Sequence, residues 1–200
     1  KPFARLAGRK PIVLKQTLKL IDRAKQLQPT NSAFVTESAH QNSLLGDLRK
    51  ANNEFKQGAS LDDANVQAVT GMIYCQLSAG QLLDAQHQID FMKEIQGSDG
   101  SGYELTFLSA LLAWRKDRKL ERAVRLLDQC LKQFNSNVTN SGSSNVHDYY
   151  VNFDVDFQLQ VAKEYIQHCG AEPIDQGDPT PVFLQKGLNV LEKVAKEVPG

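Results

Sequence analysis

The sequence predicts an all-α fold, a solenoid in which antiparallel helix pairs stack one after another. Three observations support this prediction. Apolar residues recur with the 3.6-residue period of an amphipathic helix along most of the chain. Two segments near the ends, 11–29 and 181–199, share one proline-bounded pattern, and the turns between them recur at a fixed spacing. We expect about four to five repeats, of which the last is irregular.

The first and last helices are predicted by the two proline-bounded segments. They read PIVLKQTLKLIDRAKQLQP at 11–29 and PVFLQKGLNVLEKVAKEVP at 181–199, so that Leu14 corresponds to Leu184. A proline at the first helical position loses no hydrogen bond, whereas the closing proline cannot continue the helix. Two copies of one helical unit are therefore expected.

The repeat period is given by a turn motif. Residues 45–51 read LGDLRKA and residues 79–85 read AGQLLDA, so Ala51 and Ala85 are 85 − 51 = 34 residues apart. A third copy ends at Ala123, which is 123 − 85 = 38 residues further on. A two-helix unit of 34 residues indicates a solenoid of the tetratricopeptide repeat (TPR) type. The equivalent positions of the successive units are Thr17, Ala51, Ala85, Ala123 and Gly187.

Each unit carries a glycine, a small residue and then a large apolar residue. Gly46 and Gly80 can adopt a positive φ and end the first helix of a pair. The small residue lies five positions later, where we expect two helices to cross closely. Four residues beyond it, a larger side chain such as Phe55 or Ile89 is expected to fill the space beside the crossing.

The first helices of four repeats are predicted from apolar stripes. Their ranges are 32–44, 66–78, 104–116 and 156–168. In the third, an i, i+3, i+4, i+7 stripe is formed by Phe107, Ala110, Leu111 and Trp114. Such a stripe is typical of a helix that packs one face against its neighbours.

Two polar segments predict how the chain is divided. Residues 1–134 are expected to be regular TPR repeats, and residues 135–152 a flexible polar insertion. Residues 153–200 are expected to form an irregular TPR-like helix pair with an inserted loop at 170–180. A glycine- and serine-rich loop at 97–102 accounts for the four extra residues of the longer unit.

Composition narrows the possible partners and compartment. The 23 basic and 23 acidic residues cancel, which argues against nucleic acid as the main partner. The sequence has no run of 18 apolar residues, so no membrane insertion is expected. The three cysteines are far apart and odd in number, which predicts reduced thiols in a cytoplasmic compartment.

No catalytic, cofactor-binding or metal-binding site is predicted, and no small-molecule substrate is expected. His168 and Cys169 are adjacent, but neighbours on a helix point about 100° apart and cannot easily share a proton. The chain lacks the CxxC, HExxH and HxxxH spacings of metal sites, and its glycine-rich stretch leads into no P-loop lysine. Enzymatic activity is therefore not expected.

A protein-binding surface is predicted instead. In a TPR stack the first helices line the concave face, and side chains that point away from the partner helix are available there. The alternative is that these residues merely face solvent, or that the rest of a longer solenoid covers them. The candidates are Thr36, His40, Tyr74, Leu108, Arg115 and Lys116.

Several short stretches occur in a family-specific order. They are PIVL at 11–14, LQPT at 27–30, VTGMIYCQL at 69–77, GQL at 80–82, DA at 84–85, FMKEIQ at 91–96, ELTFL at 104–108, DF at 156–157 and AKEY at 162–165. This order resembles the tetratricopeptide repeat protein 21 family, the large all-TPR subunit of the intraflagellar transport A complex. The likeness covers most of the chain and departs at residues 135–147.

The resemblance implies an interior section of a long TPR solenoid that acts as a non-enzymatic scaffold. Such a protein would bind other subunits of the transport complex, in cilia or flagella and at their bases, during retrograde transport and cargo entry. Two alternatives remain, a generic TPR adaptor or co-chaperone domain and the regulatory repeat region of a larger enzyme. A co-chaperone clamp needs Lys, Arg and Asn where this chain has Thr36, His40, Thr70 and Tyr74.

Overall fold

The computed structural model describes residues 10–96, 102–140, 154–169 and 181–197, and all of the regular secondary structure in these ranges is helical. The predicted all-α solenoid is confirmed. The helices in the described ranges are α1 (Pro11–Leu27), α2 (Ser32–Leu44), α3 (Leu48–Leu61), α4 (Val66–Ser78), α5 (Leu82–Gln96), α6 (Tyr103–Arg115), α7 (Leu120–Asn140), α8 (Val155–Gln167) and α9 (Val182–Glu197).

Consecutive helices pack as hairpins, and successive hairpins stack. The most extensive contacts join α2 to α3, α6 to α7 and α8 to α9, while α3 also packs on α4 and α5 on α6. The first helices α2, α4 and α6 touch one another in sequence as well. This arrangement leaves α2, α4, α6 and α8 as one row and α3, α5, α7 and α9 as the other.

Side-chain caps explain where the first helices begin. The Asn31 carboxamide accepts a hydrogen bond from the backbone N–H of Ala33, and the Asn65 carboxamide accepts one from Ala68. The Asp154 carboxylate does the same for the N–H of Phe157 at the start of α8. Each cap satisfies one N–H group that has no partner within the helix.

The turns between paired helices use the left-handed backbone region that the sequence predicted. Gly46 and Gly80 have φ values of 89° and 78°. The third turn has Arg118 at the equivalent position, five residues before Ala123, with a φ of 54°. The same backbone path is therefore kept where the chain has no glycine.

The predicted small residues lie at buried helix crossings. Ala51, Ala85 and Ala123 are fully buried, and Phe55, Ile89 and Leu127 are buried four residues beyond them. Gly187 faces Ile166 so closely that an added Cβ would stand 2.8 Å from its Cγ1 atom. Thr17 differs, because its hydroxyl lies 2.6 Å from Oε1 of Gln41 and links α1 to α2 by a hydrogen bond.

Two clusters of polar side chains join helices toward the two ends of the stack. In the first, the Lys25 ammonium on α1 lies 2.6 Å from the Glu54 carboxylate on α3, which also accepts hydrogen bonds from Ser38 and Asn42 on α2. In the second, Asp128 accepts hydrogen bonds from the Tyr165 hydroxyl at 2.7 Å and from the Lys186 ammonium. Each carboxylate thereby ties three helices together.

Cys75, Cys130 and Cys169 are free cysteines in the structure, and the reduced compartment stays a prediction. Cys75 belongs to a small core with Ala39, Ala51 and Phe55, and burial raises the pKa of its thiol to about 11. Cys130 lies in the larger core that spans α4 to α8, where burial and the nearby Asp128 raise its thiol pKa to about 12.

The sequence-based loop prediction is wrong over residues 135–140, because α7 continues to Asn140. Val138 packs against the large core, and the Ser136 hydroxyl donates a hydrogen bond to the carbonyl of Lys132. Asn135 accepts a hydrogen bond from the Lys193 ammonium on α9. These interactions stabilise a helical end that its polar composition did not predict.

The other predicted insertions fall outside the described residues. These are most of the loop at 97–102, the remainder of the polar segment at 141–152 and the loop at 170–180. The division of the chain into 1–134, 135–152 and 153–200 therefore stays a prediction, apart from the corrected start of the polar segment.

Candidate protein-binding groove

The first helices enclose a groove on their shared side. It has a volume of about 510 Å³ and is lined by residues of α2, α4, α6 and α8, together with Phe55 of α3 and the end of α7. Along each of these helices, one side chain in every three or four points into the groove. The groove crosses four repeats because the first helix of each of the four contributes to its lining. It is the concave surface on which a TPR-type solenoid presents side chains.

Four of the six predicted site residues line this groove. They are Thr36 and His40 on α2, Tyr74 on α4 and Leu108 on α6. Thr36 and Leu108 are buried, whereas His40 and Tyr74 are partly exposed. Their position on the concave side is as expected, and their contact with a partner stays a prediction.

The other two predicted residues lie away from the groove lining. Arg115 extends from the end of α6 toward α8, where its Nη2 atom is 3.4 Å from Oε1 of Glu164. Lys116 is exposed and donates a hydrogen bond to the Gln86 side chain on α5. Arg115 is the last residue of α6 and Lys116 is its C-cap, so both lie at the end of the helix, beyond the part of α6 that lines the groove.

Aromatic rings form the floor of the groove at one end. Phe157 of α8 meets Tyr103 and Phe107 of α6 edge to face, with ring centroids 4.7 and 5.5 Å apart. Phe134 of α7 lies 5.2 Å from both Tyr103 and Phe157. The sequence stripe included Phe107 but did not identify this group, since its members come from three helices that are distant in the chain.

Carboxylates dominate the ionisable groups of the groove. Glu104, Asp154 and Asp156 line it with His40, and no Lys or Arg is among the described lining residues. The His40 Nε2 atom lies 3.9 Å from Asp156 Oδ2, so α2 and α8 approach each other although α4 and α6 separate them in the row. This approach shows that the row of first helices is curved.

A second polar group lies beside the groove, where α4, α6 and α8 end. Burial raises the pKa of Glu164, and Arg115 only partly opposes that shift. Burial and the charge of Glu164 also raise the pKa of the Tyr74 phenol. Tyr74 thus remains a neutral hydroxyl at the groove wall, able both to donate and to accept a hydrogen bond.

The adjacent His168 and Cys169 occupy ordinary positions at the end of α8. The His168 ring packs edge to face on Trp114 at 4.7 Å, and burial lowers its pKa. The Cys169 thiol points to the carbonyl of Tyr165 in its own helix, at 3.8 Å. The two side chains therefore make separate contacts.

Among the residues that the structure describes, no three His, Cys, Asp or Glu side chains converge as metal ligands would. Nor does any described helix have both the length and the apolar character that crossing a bilayer requires.

Stacked helix hairpins with a concave groove define the chain as an α-solenoid repeat protein. Its whole length, residues 1–200, matches the family model described as "Tetratricopeptide repeat protein 21 second ARM domain". The chain belongs to the tetratricopeptide repeat protein 21 family. That description names the armadillo (ARM) type of repeat, whereas the 34-residue spacing predicts the TPR type. Both types are α-solenoids of stacked helices.

Relatives from several animals align along nearly the full chain. Tetratricopeptide repeat protein 21B of Homo sapiens is 36% identical over 198 residues, which cover 99% of this chain and 15% of that protein. Tetratricopeptide repeat protein 21A of Mus musculus is 30% identical over 197 residues, or 98% of this chain and 15% of that protein. The chain therefore spans about 15% of the length of these relatives.

Proposed function

We propose that the chain is a non-enzymatic scaffold section whose groove holds an extended segment of a partner protein. The observation that carries this proposal is the groove itself, about 510 Å³ in volume and lined by the first helices of four repeats. Pockets of a few hundred Å³ with apolar walls and a few polar groups are typical binding sites. Membership of a solenoid family supports the same proposal.

The lining favours a segment with alternating apolar and polar contacts. Phe107, Leu108 and Phe157 offer apolar surface, while Gln160 carries an amide group that can pair with a peptide backbone. Extended peptides gain affinity from such backbone hydrogen bonds and specificity from side-chain pockets. A single strand of peptide is the occupant that this combination favours.

The charge of the groove favours a basic segment. Glu104, Asp154 and Asp156 would attract Lys or Arg side chains and repel a free carboxylate. A clamp for C-terminal carboxylates would need cations in the same place. The co-chaperone alternative therefore has less support than a scaffold that binds an internal, basic segment.

From the family resemblance we also propose the wider role. The parent protein would be a subunit of the intraflagellar transport A complex that acts in retrograde ciliary transport and cargo entry. Its partners would be the other subunits, and its location the cytoplasm, the cilium or flagellum and the base of that organelle. The regulatory region of a larger enzyme is the remaining alternative.

One experiment tests both parts of the proposal. The full-length parent would be purified from ciliated cells as wild type, as the groove variant Thr70→Arg/Gln160→Arg, and as the control Gln57→Arg. Thr70 and Gln160 line the groove, whereas Gln57 is exposed on α3 outside it. We expect wild type and control to recover transport subunits alike, and the groove variant to lose at least one of them by about tenfold.

The outcomes separate the two parts. Undiminished recovery by the groove variant would contradict the groove as the binding site. Recovery of co-chaperones without any transport subunit would contradict the role in intraflagellar transport. Denaturation of the 200-residue variants in urea checks that the added arginines leave folding intact.

A further inference from the structure

The outward face of α5 carries large apolar side chains in an unusual position. Leu83, Phe91 and Ile95 are 63%, 60% and 65% exposed. With the exposed His87 they follow one another at four-residue intervals, so they form a single stripe along the helix. We call Leu83, His87, Phe91 and Ile95 the α5 stripe.

The other outer-row helices and α1 show what these positions normally carry. The repeat frame aligns the α5 stripe with four residues on each of them, and those residues are polar or charged except for a leucine at the end of α1 and of α3. They are Lys15, Lys19, Arg23 and Leu27; Arg49, Asn53, Gln57 and Leu61; Glu121, Arg125, Gln129 and Gln133; and Gln185, Asn189, Lys193 and Glu197. Among α3, α5, α7 and α9, only α5 therefore keeps large apolar residues along this face, in the part of the chain that the structure describes. On α1, Ile12, Leu20 and Leu27 are also exposed.

This difference points to a contact surface. Single exposed apolar residues are common, but several that adjoin on one face mark interaction sites. The fold does not require them, because equivalent helices pack with polar residues in the same places. The charged residues of α5 nearest the stripe also have one sign, since Asp84, Asp90 and Glu94 are exposed on this side of the helix. Lys93 lies about 140° around the helix from the stripe, at 100° per residue.

The length and charge of the stripe define a partner. From Leu83 to Ile95 the stripe extends about 18 Å at 1.5 Å per residue, which corresponds to slightly more than three turns of a second helix laid alongside. Carboxylates at its edges favour Lys and Arg at the edges of that helix. They also disfavour an anionic membrane surface, which recruits basic and not acidic faces.

We propose that the α5 stripe docks an amphipathic helix of a partner protein, with apolar residues on one side and Lys or Arg bordering them. A second copy of this chain fits less well, because a twofold contact would bring Asp84, Asp90 and Glu94 near the same three carboxylates of the other copy. The stripe lies on the outer row of helices and the groove on the inner row. The two surfaces can therefore hold different segments at once.

A designed peptide provides the test. The probe is a fluorescein-labelled 16-residue helix with leucines along one face, lysines bordering them and alanines elsewhere. Its binding to the 200-residue chain is followed by fluorescence anisotropy. The variant Leu83→Arg/Phe91→Gln gives α5 the residues of Arg49 and Gln57 on α3, and we expect it to weaken binding by about tenfold or more.

Three controls accompany that variant. Val182→Gln, which removes an exposed apolar side chain from α9, should leave the affinity within about twofold. Thr70→Arg/Gln160→Arg should also leave the affinity within about twofold, which would show that the probe does not bind in the groove. A probe with glutamate in place of lysine should bind about tenfold more weakly, and this difference should shrink as salt is added.

Each result bears on one part of the proposal. Equal binding of the lysine probe to wild type and to Leu83→Arg/Phe91→Gln would overturn the docking site. Equal affinity for the two probes would overturn the requirement for basic residues. A dimer in sedimentation velocity that Leu83→Arg/Phe91→Gln dissolves would assign the stripe to a second copy instead. Amide shifts that the probe induces in wild type at residues 83–95 would support the site without any substitution.

Discussion

Among single residues, Glu164 is a carboxylate whose surroundings disfavour a charge. Its side chain is 7% exposed, and its one ion pair in the described chain, with Arg115, is 3.4 Å long. Burial raises its pKa even though Arg115 opposes the shift. The ionised carboxylate thus carries a desolvation cost that the pair does not fully offset, as is usual for buried ion pairs.

We predict that Glu164→Gln becomes more favourable relative to wild type as pH rises. A carboxyl whose folded pKa exceeds its unfolded value contributes most to stability below the unfolded value, which is 4.5 for this group. That contribution is lost as pH rises from there through the raised pKa. Glutamine does not titrate, so urea denaturation of both proteins at pH 4 and pH 7 isolates the effect.

The sign of the pH dependence decides the outcome. The loss of the Arg115 pair shifts the free energy of unfolding of Glu164→Gln, but Arg115 is partly exposed and can pair with water. If the free energy of unfolding of wild type rises relative to that of Glu164→Gln as pH increases, that result would contradict a raised pKa for Glu164.

Part of the groove was predictable from single positions. Thr36, His40, Tyr74 and Leu108 follow from helical phase, because a residue that faces away from the paired helix must face the concave side. Arg115 and Lys116 were misplaced because phase alone does not show where the groove stops. Arg115 lies at the end of α6, where its guanidinium pairs with Glu164, and Lys116 is the C-cap. Asp154, Asp156 and Phe157 were not identified as lining residues, because only the curvature of the stack brings α8 near α2.

At the scale of helices and turns, substitution of a turn glycine measures how much backbone strain the repeat tolerates. An added Cβ at Gly80 would meet no atom within 4 Å, so the cost of Gly80→Ala comes from its φ of 78° alone. We predict a loss of about 1–2 kcal/mol in the free energy of unfolding. Gly102→Ala is the control, because Gly102 has an ordinary φ of −59° and equally open surroundings.

Arg118 provides the reverse substitution. Arg118→Gly would relieve the φ of 54° but remove the guanidinium from the Trp114 ring, 5.4 Å away. A cation–π contact of this exposed kind contributes about 0.5–1 kcal/mol. We therefore expect Arg118→Gly to be stabilising by less than Gly80→Ala is destabilising. A net loss of stability would mean that the contact with Trp114 contributes more than the backbone strain costs.

The helix crossings are tested by enlarging a frame residue. Ala85 of α5 is fully buried in the large core. Ala85→Leu should lower the free energy of unfolding by about 1–3 kcal/mol through overpacking. Ala33→Leu, on the exposed side of α2, should change it by less than about 0.5 kcal/mol. Equal thermal melts for both variants would contradict the close crossing.

Helix boundaries were the most predictable feature at this scale. The ranges 32–44 and 66–78 agree with α2 and α4, because Asn31 and Asn65 cap them and a turn glycine follows two residues after each. The predicted start of the polar segment failed at residue 135. Val138 continues the buried face of α7 there, and one apolar residue among polar ones is too weak a pattern to predict a helix.

At the scale of the whole molecule, the aromatic floor of the groove joins α8 to α6 and α7, which belong to a different hairpin. Phe157 is buried and contacts the rings of Tyr103, Phe107 and Phe134. Phe157→Ala should cost about 3–5 kcal/mol, because truncation of a buried ring leaves a cavity. Leu61→Ala, at a more exposed end of α3, is the matched control and should cost far less.

The effect of Phe157→Ala should also be regional. In a solenoid each hairpin contacts mainly its neighbours, so local stability varies along the stack. We expect amide hydrogen exchange to accelerate in α6, α7 and α8, and to change little in α2 and α3. Equal acceleration everywhere would indicate that the chain unfolds as a single cooperative unit.

The ring contacts between α6 and α8 have a mechanical consequence. These two helices meet through the rings of Tyr103, Phe107 and Phe157, and through the Trp114–His168 and Arg115–Glu164 contacts, and not through closely packed backbones. In contrast, α6 and α7 pack along much of their length. Rings at centroid distances near 5 Å can slide and tilt with little loss of dispersion energy, while interlocked helices cannot. Under tension along the stack, the joint between α6 and α8 should therefore stretch first and act as the compliant link of a spring.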